Sequence, residues 1–317
     1  MIGALALSIL IQAEAPGARP CAPDELRDLT TPSDRAYRLT CRARLSGGVV
    51  SRRILIEGAE ASGAGIDCGG GVIRPEGEAT TRAPTVAIWS RRSGDGWSRP
   101  TGVHVRNCTI VGNVRIWGMG AGGSMRDLLA SSRTPGHTAA AQAAAPSDVA
   151  LEQVRFEGTG TIPLYVGPGV TRTTVTRSRF GGRSTSVAVY LDAESAGAAI
   201  QDNDFSIRTG REQIAVDGSG ANRIIGNRFD LGGRGGIFLY RNCGEDGVIR
   251  HQAPSYNLIT DNVFAGAGWL RPRTVVVGAR EGRRSYCDDD AGYPFGSSAD
   301  DGDGATGNRV ERNRTRP

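Results

Sequence analysis

The chain contains no lysine: all 38 of its basic residues are arginine. With alanine and glycine abundant, that bias is better explained by GC-rich codons than by selection for guanidinium chemistry. The net charge of +5 and the pI near 9.1 therefore argue only weakly for a polyanionic partner. Histidine is nearly as scarce, with three residues. No two cysteines stand two to four residues apart, which removes the usual zinc-ligand spacings. No apolar run approaches the roughly 20 residues needed to span a bilayer. Hydrophobic residues make up only 38% of the chain, against 46 glycines. The apolar residues are nevertheless periodic, which places the chain among turn-rich folded domains rather than disordered ones.

That period is a repeat between residues 149 and 264. Short segments each end in a phenylalanine, at Phe156, Phe180, Phe205, Phe229 and Phe264, in steps of 24, 25, 24 and 35. Near-equal steps with one longer step describe stacked coils of fixed circumference, one of which carries an inserted loop. Two positions before the phenylalanines, Asn203, Asn227 and Asn262 recur, and Asn313 keeps that place in the last fragment, which predicts a side-chain ladder. Between these segments runs a second one, IPLYVG, VAVYLD, IAVDGS, IFLYRN and VVVGAR, with aliphatic first and third residues. Alternation of period two is a strand with one buried face. At about 3.3 Å per residue, 24 residues trace roughly 80 Å, enough for two or three strands and their corners per coil. A leucine-rich repeat is the rival, since Ile224, Asn227 and Phe229 mimic its spacing. These coils are instead rich in Val, Ile, Thr and Gly and have no stretch of helix formers. The expected fold is all-β, a single-stranded right-handed parallel β-helix.

At the N-terminus, MIGALALSILIQAEA is a short apolar run followed by small residues. It reads as a secretory signal over residues 1–15. Residues 16–48 are expected to form a cap that covers the open end of the solenoid, with a short helix near Pro23. The β-helix domain is expected over 49–317. The six cysteines are an even count that suits disulfides in an oxidising compartment. Cys21 and Cys41 bracket the N-terminal segment, and Cys243 and Cys287 bracket a late insertion. Cys68 and Cys108 fall at the ladder position of neighbouring coils. The expected location is secreted or periplasmic.

Three excursions interrupt the coils, at 118–147, 243–256 and 271–306. Insertions from one face of a solenoid often line its binding face. The first is read as either a surface loop or a wall over a groove. The last carries Asp288, Asp289, Asp290, Asp300, Asp301 and Asp303. Calcium is a candidate ligand for these carboxylates, although an acidic solvated tail explains them as well, and no cofactor is otherwise expected.

Outward-facing positions of the alternating strand are expected to form one column along the cylinder: Trp89, Trp117, Tyr165, Tyr190, Asp217, Tyr240 and Val277. Such rings either offer stacking faces to sugars or stack on one another beneath an insertion. Two positions on, the column reads Gly167, Asp192, Ser219, Asn242 and Arg280, with Arg241, Glu245, Arg250 and His251 close in sequence. Two chemistries fit. In β-elimination on a uronate polymer, Arg241 or Arg280 neutralises the carboxylate, His251 or Arg250 takes the proton, and Tyr240 or Tyr190 serves the leaving oxygen. Glycoside hydrolysis would instead use two carboxyl groups from Asp192, Asp217 and Glu245. Trp89, Trp117, Tyr165, Tyr190, Asn242 and Arg280 are the expected binding residues.

With its asparagine ladder and aromatic stack, the stretch from about Val49 to Asn313 resembles the right-handed parallel β-helix, pectin-lyase-like superfamily. GIFLYRNCGEDGVIRHQAPSYNLITDNVF looks like the secreted bacterial members. That resemblance implies the fold and a class ranging from polysaccharide lyases, epimerases and hydrolases to non-enzymatic proteins. The chain lacks the Gly-His-Gly and Arg-Ile-Lys of pectin hydrolases, the Asp-Pro-His-Asp of alginate epimerases and the lysine-containing calcium sites of many pectate lyases. The expectation is a monomer acting on an acidic polysaccharide, by elimination first and hydrolysis second. A non-catalytic glycan-binding or structural solenoid is the alternative. Neither nucleic acid nor stable membrane insertion is expected.

Overall fold

A computed structural model describes residues 17–120, 125–266 and 273–316; the signal-like run at 1–15 lies outside them. Successive coils each add one strand to each of three parallel sheets. The first sheet runs Tyr37–Arg38, Ile54–Glu57, Val86–Trp89, Val114–Trp117, Leu164–Val166, Val189–Leu191, Ile214–Asp217, Ile237–Tyr240 and Val275–Val277. The second has nine strands from Arg42–Arg44 to Arg309–Glu311. The third runs from Val49–Val50 to Arg314–Thr315, with Arg208–Thr209 added beside Arg179–Ser184. This is a parallel β-helix, and its first strands, Tyr37–Arg38 and Arg42–Arg44, lie within the segment read as a cap.

The interior is filled by side chains that repeat coil after coil. Phe156, Phe180, Phe205, Phe229 and Phe264 stack face to face, with ring centroids 4.4, 4.4, 4.6 and 4.9 Å apart. Each such pair contributes about 0.5–1.5 kcal/mol beyond the area it buries. The corner between the second and third sheets turns on one residue with positive φ: Asn107, Gln153, Arg177, Asp202, Gly226, Asp261 and Arg312. From Asp202 onward the next residue is the ladder asparagine, which satisfies the backbone that this tight corner leaves unpaired. Asn203 Nδ2 donates to Asn227 Oδ1 (3.0 Å), Asn227 to Asn262 (2.9 Å) and Asn262 to Asn313 (2.9 Å). A second ladder, Asn222, Asn257 and Asn308, follows another row of left-handed corner residues. Asn227 is fully buried and also accepts from the Asn203 amide and donates to the Ile200 carbonyl. Replacing it with alanine strands several buried polar groups. Asn227→Ala is expected to cost about 3 kcal/mol, read as a lower urea midpoint at unchanged slope.

Helix α1 (Pro23–Thr30) closes the N-terminal end. Leu29 joins the core, Tyr37 donates to the Glu25 carbonyl, and Arg52 pairs with Asp28 at 3.0 Å. Three disulfides form: Cys21–Cys41, Cys68–Cys108 and Cys243–Cys287. They suit an oxidising compartment. Among the described residues, no helix is long and apolar enough to cross a membrane.

The first insertion is helical, with α2 at Arg126–Ser132 and α3 at His137–Ala144. It packs on the second insertion, where Ser132 Oγ accepts from the Ile249 amide at 3.2 Å. The Cys243–Cys287 bridge ties the second insertion to the third. Together the three insertions cover much of the outward face of the first sheet.

Candidate functional site

The first sheet carries the candidate residues, in a register that differs from the sequence reading. Arg115 pairs with Tyr165 and Tyr165 with Tyr190, while Trp89 pairs with Trp117 and Asp217 with Tyr240. The expected single column is therefore two adjacent ones. One holds Arg115, Tyr165, Tyr190, Ala215 and Phe238. The other holds Trp89, Trp117, Gly167, Asp192, Asp217 and Tyr240. The single column sets Trp117 level with Tyr165 and Asp217 level with Tyr190, each two residues off, a shift that alternation cannot reveal because it keeps every side chain on the same face. The columns are also not an open row of rings: Tyr190 is 8% exposed, Tyr240 1% and Asp217 0%, all beneath the insertions.

Where the two columns meet the first insertion lies a cleft of about 420 Å³. Trp117 and Tyr165 form its floor, with rings 5.5 Å apart edge to face, and Tyr165 stacks on Tyr190 at 5.6 Å. Met125 and Leu128 of the α2 segment make one wall, and the turn Glu245–Gly247 supplies Glu245 and Asp246 to another. Asp192 and Arg250 also line it.

Arg250, 6% exposed, joins two carboxylates: Nη1 lies 3.1 Å from Asp192 Oδ1, and Nη2 lies 3.4 Å from Glu245 Oε2. Asp192 further accepts the Tyr165 hydroxyl and the Ala193 amide. Glu245 accepts from Asn242 Nδ2 at 2.7 Å. Burial pushes the Glu245 carboxyl above its usual range; the Arg250 cation pulls against this, and the Asp217 and Asp192 charges add to it. Since one planar guanidinium spans both bonds, the two bonded oxygens lie within about 9 Å of each other. Arg115 also lines the cleft, 3% exposed, with its guanidinium 5.0 Å from the Tyr165 ring. Among the described residues it has no carboxylate partner, and its Nε and the Trp117 indole nitrogen lack acceptors. Burial lowers its pKa to about 10, so it remains a cation at neutral pH.

The other candidates are dispersed around this centre. Asp217 and Asn242 form a buried partition behind the cleft. Asp217 accepts from Tyr190 at 2.6 Å and from the Asn242 amide at 2.7 Å, and Asn242 Nδ2 reaches the Tyr190 oxygen at 3.0 Å. Burial raises the Asp217 pKa, and Tyr190 and Tyr240 rise well above the usual phenol value for the same reason. Tyr240 and Arg280 line a separate cleft. Arg241 points away and holds the last insertion through the Asp300 and Gly302 carbonyls. His251 lies outside the cleft; its Nε2 donates to the Ser132 carbonyl at 2.7 Å, and its ring packs on His137 and Phe295. Trp89 sits one coil beyond Trp117 and does not reach the cleft.

Of the acids considered for calcium, Asp303 caps the amides of Arg241 and Arg280, and Asp290 accepts the Ser297 hydroxyl. The sequence reading missed Arg115, whose signal was a lone charge inside a four-residue strand. It also missed Glu194, a buried carboxylate that accepts the amides of His251 and Gln252 and the Thr138 hydroxyl, and so fastens two insertions together.

No family model matches the chain, and no curated protein matches it in sequence. Among solved structures, it is similar to the catalytic domain of a GH87 alpha-1,3-glucanase in complex with nigerose. That match has 10% identity and a TM-score of 0.27 over 88% of this chain and 62% of the other. It is also similar to the Dettilon tailspike protein, with 11% identity and a TM-score of 0.21 over 77% of this chain and 61% of the other. The chain thus spans about three-fifths of each of these structures.

Proposed function

We propose that the cleft hydrolyses glycosidic bonds of an acidic polysaccharide outside the cytoplasm, with Glu245 as general acid and Asp192 as the partner carboxylate. The observation that carries this reading is the pair of carboxylates joined by Arg250 in a cleft floored by Trp117 and Tyr165. An apolar floor of indole and phenol suits the apolar face of a sugar ring. The two carboxyl groups differ in environment as an acid and its partner must. Glu245 is part-exposed at the cleft and burial raises its pKa, so it holds its proton to a higher pH than an ordinary carboxyl, which suits the group that protonates the leaving oxygen. Asp192 is fixed by three donors and stays aimed as nucleophile or base. Arg115, a cation without a counter-charge, suits a sugar carboxylate and carries the acidic part of the reading.

Elimination is less well supported by the same geometry. It needs a base beside the sugar, yet His251 is committed to the Ser132 carbonyl outside the cleft, and Arg250 is held charged between two acids. Tyr190 keeps its proton, being buried against Asp217. The test is a panel of uronate-containing and neutral polymers followed by two assays. New reducing ends without ultraviolet absorbance of unsaturated sugars are the expected result. Unsaturated products would replace hydrolysis with elimination, and binding with neither product would make the solenoid a glycan-binding protein.

A further inference from the structure

A second cleft, of about 470 Å³, lies on the same face of the first sheet. Its floor is Phe238 and Tyr240, and five arginines surround it against one carboxylate, Glu212. Glu212 is already engaged by Arg211 at 2.8 Å and by the Tyr240 hydroxyl at 3.1 Å. Among the described residues, Arg234, Arg273, Arg280 and Arg284 have no carboxylate within 4.0 Å. The neighbouring residues 267–272 contain no acid. Arg280 is the most telling of these: it is 6% exposed, its guanidinium lies 3.8 Å from the Tyr240 ring centroid, and among the described residues its one side-chain hydrogen bond goes to the Tyr286 hydroxyl at 3.1 Å. Arg273 lies 5.2 Å from the Phe238 ring in the same way. A buried guanidinium with no carboxylate in contact leaves most of its donors unsatisfied, and gathering like charges around a concave surface adds to that cost. An oxyanion offsets both, since guanidinium forks match its geometry.

We infer that this arginine-lined cleft binds an anionic sugar residue, a uronate or a sulfated unit, of the glycan that occupies the first cleft. The inference rests on the glycan reading of that cleft. Tyr190 lies at the edge of the first cleft and Phe238 on the floor of the second, two strands further along one column. At about 4.8 Å per strand they are separated by about 10 Å along the solenoid, a span one oligosaccharide can bridge. The aromatic floor favours a sugar ring carrying the anion over a free inorganic anion.

The test uses the full chain with oligogalacturonate, oligomannuronate and heparin oligosaccharides, each beside its carboxyl-reduced or desulfated counterpart, and with inorganic sulfate alone. The combined variant Arg234→Ala, Arg273→Ala, Arg284→Ala removes exposed, unpaired side chains and so spares the fold. Arg280→Gln probes the buried one. Expected is at least tenfold tighter binding of one anionic oligomer than of its neutral counterpart. That preference should be lost in the combined variant and in Arg280→Gln, with sulfate far weaker than the oligomer. Unchanged preference in the combined variant, no binding of any anionic oligomer, or sulfate as tight as the oligomer would each overturn it. Trp117→Ala separates the two readings. If Trp117→Ala weakens binding and the arginine changes do not, the inference fails and the glycan reading stands. If the arginine changes alone weaken binding, the second cleft holds the anionic sugar and the first cleft loses its role.

Discussion

Glu245→Gln is expected to lower kcat about a thousandfold on the glycan with KM within a few-fold of the parent, and Asp192→Asn to do the same. General acid–base groups supply roughly 10²–10⁴ of rate, and in a two-carboxylate site the loss of either member removes one half of the displacement. The amide in Glu245→Gln keeps the bond from Asn242 only if it turns its oxygen inward, and it cannot protonate a leaving oxygen in either orientation. Two further measurements distinguish chemistry from damage. A nitrophenyl glycoside leaves without protonation, so Glu245→Gln should cost far less on it than on the glycan. Azide, a small anionic nucleophile, should restore turnover of the nitrophenyl glycoside to Asp192→Ala, where it can take the place of the missing carboxylate. Equal losses on both substrates would remove Glu245 as the acid. The pH profile carries the same assignment: burial holds the Glu245 proton on above the usual carboxylate range, so activity should fall as pH rises through that raised pKa.

The coil itself was legible because it is written into each repeat separately. Phe180, Phe205 and Phe229 recur at one circumference, and the step of 35 before Phe264 announces the 243–256 insertion without any knowledge of its shape. Asn203, Asn227 and Asn262 mark a corner because a backbone turning on a left-handed residue needs a side-chain acceptor at that point. Lateral register was not legible. A strand shifted by two residues buries the same parity of side chains, so Tyr165 and Tyr190 align with Arg115 rather than with Trp117, and nothing in the alternation distinguishes the alternatives. Burial on the outer face was not legible either. Asp217 and Tyr240 are enclosed by residues 25 or more positions away, Asn242 for the first and Arg211 and Arg280 for the second, and the docking of the insertions depends on contacts such as Ser132 with Ile249 that no local pattern records. His251 illustrates the consequence: next to Arg250 in sequence, it turns to the helical insertion while Arg250 turns to the cleft.

Replacing Arg250 with methionine tests whether this division holds the site together. The side chain is buried and bonded to Asp192 and Glu245, and its cation also counters the charge of Asp217. Removing one member of such a buried cluster leaves the remaining charges uncompensated, which typically costs about 3–5 kcal/mol. Arg250→Met is therefore expected to destabilise the chain by about that amount at neutral pH. The sign with pH follows from the direction of the shifts. Glu245 and Asp217 already have raised pKa values in the folded chain, and losing the cation raises them further. A raised carboxyl binds its proton more tightly when folded than when unfolded, so the deficit should shrink as pH falls through the folded values. Urea midpoints of parent and variant should converge on acidification. In activity, the limb that falls with Glu245 deprotonation should move to higher pH, because the group now keeps its proton longer. A variant equally destabilised at every pH, with an unmoved profile, would show that Arg250 supports the site by packing alone and would separate Asp192 from Glu245 as a working pair.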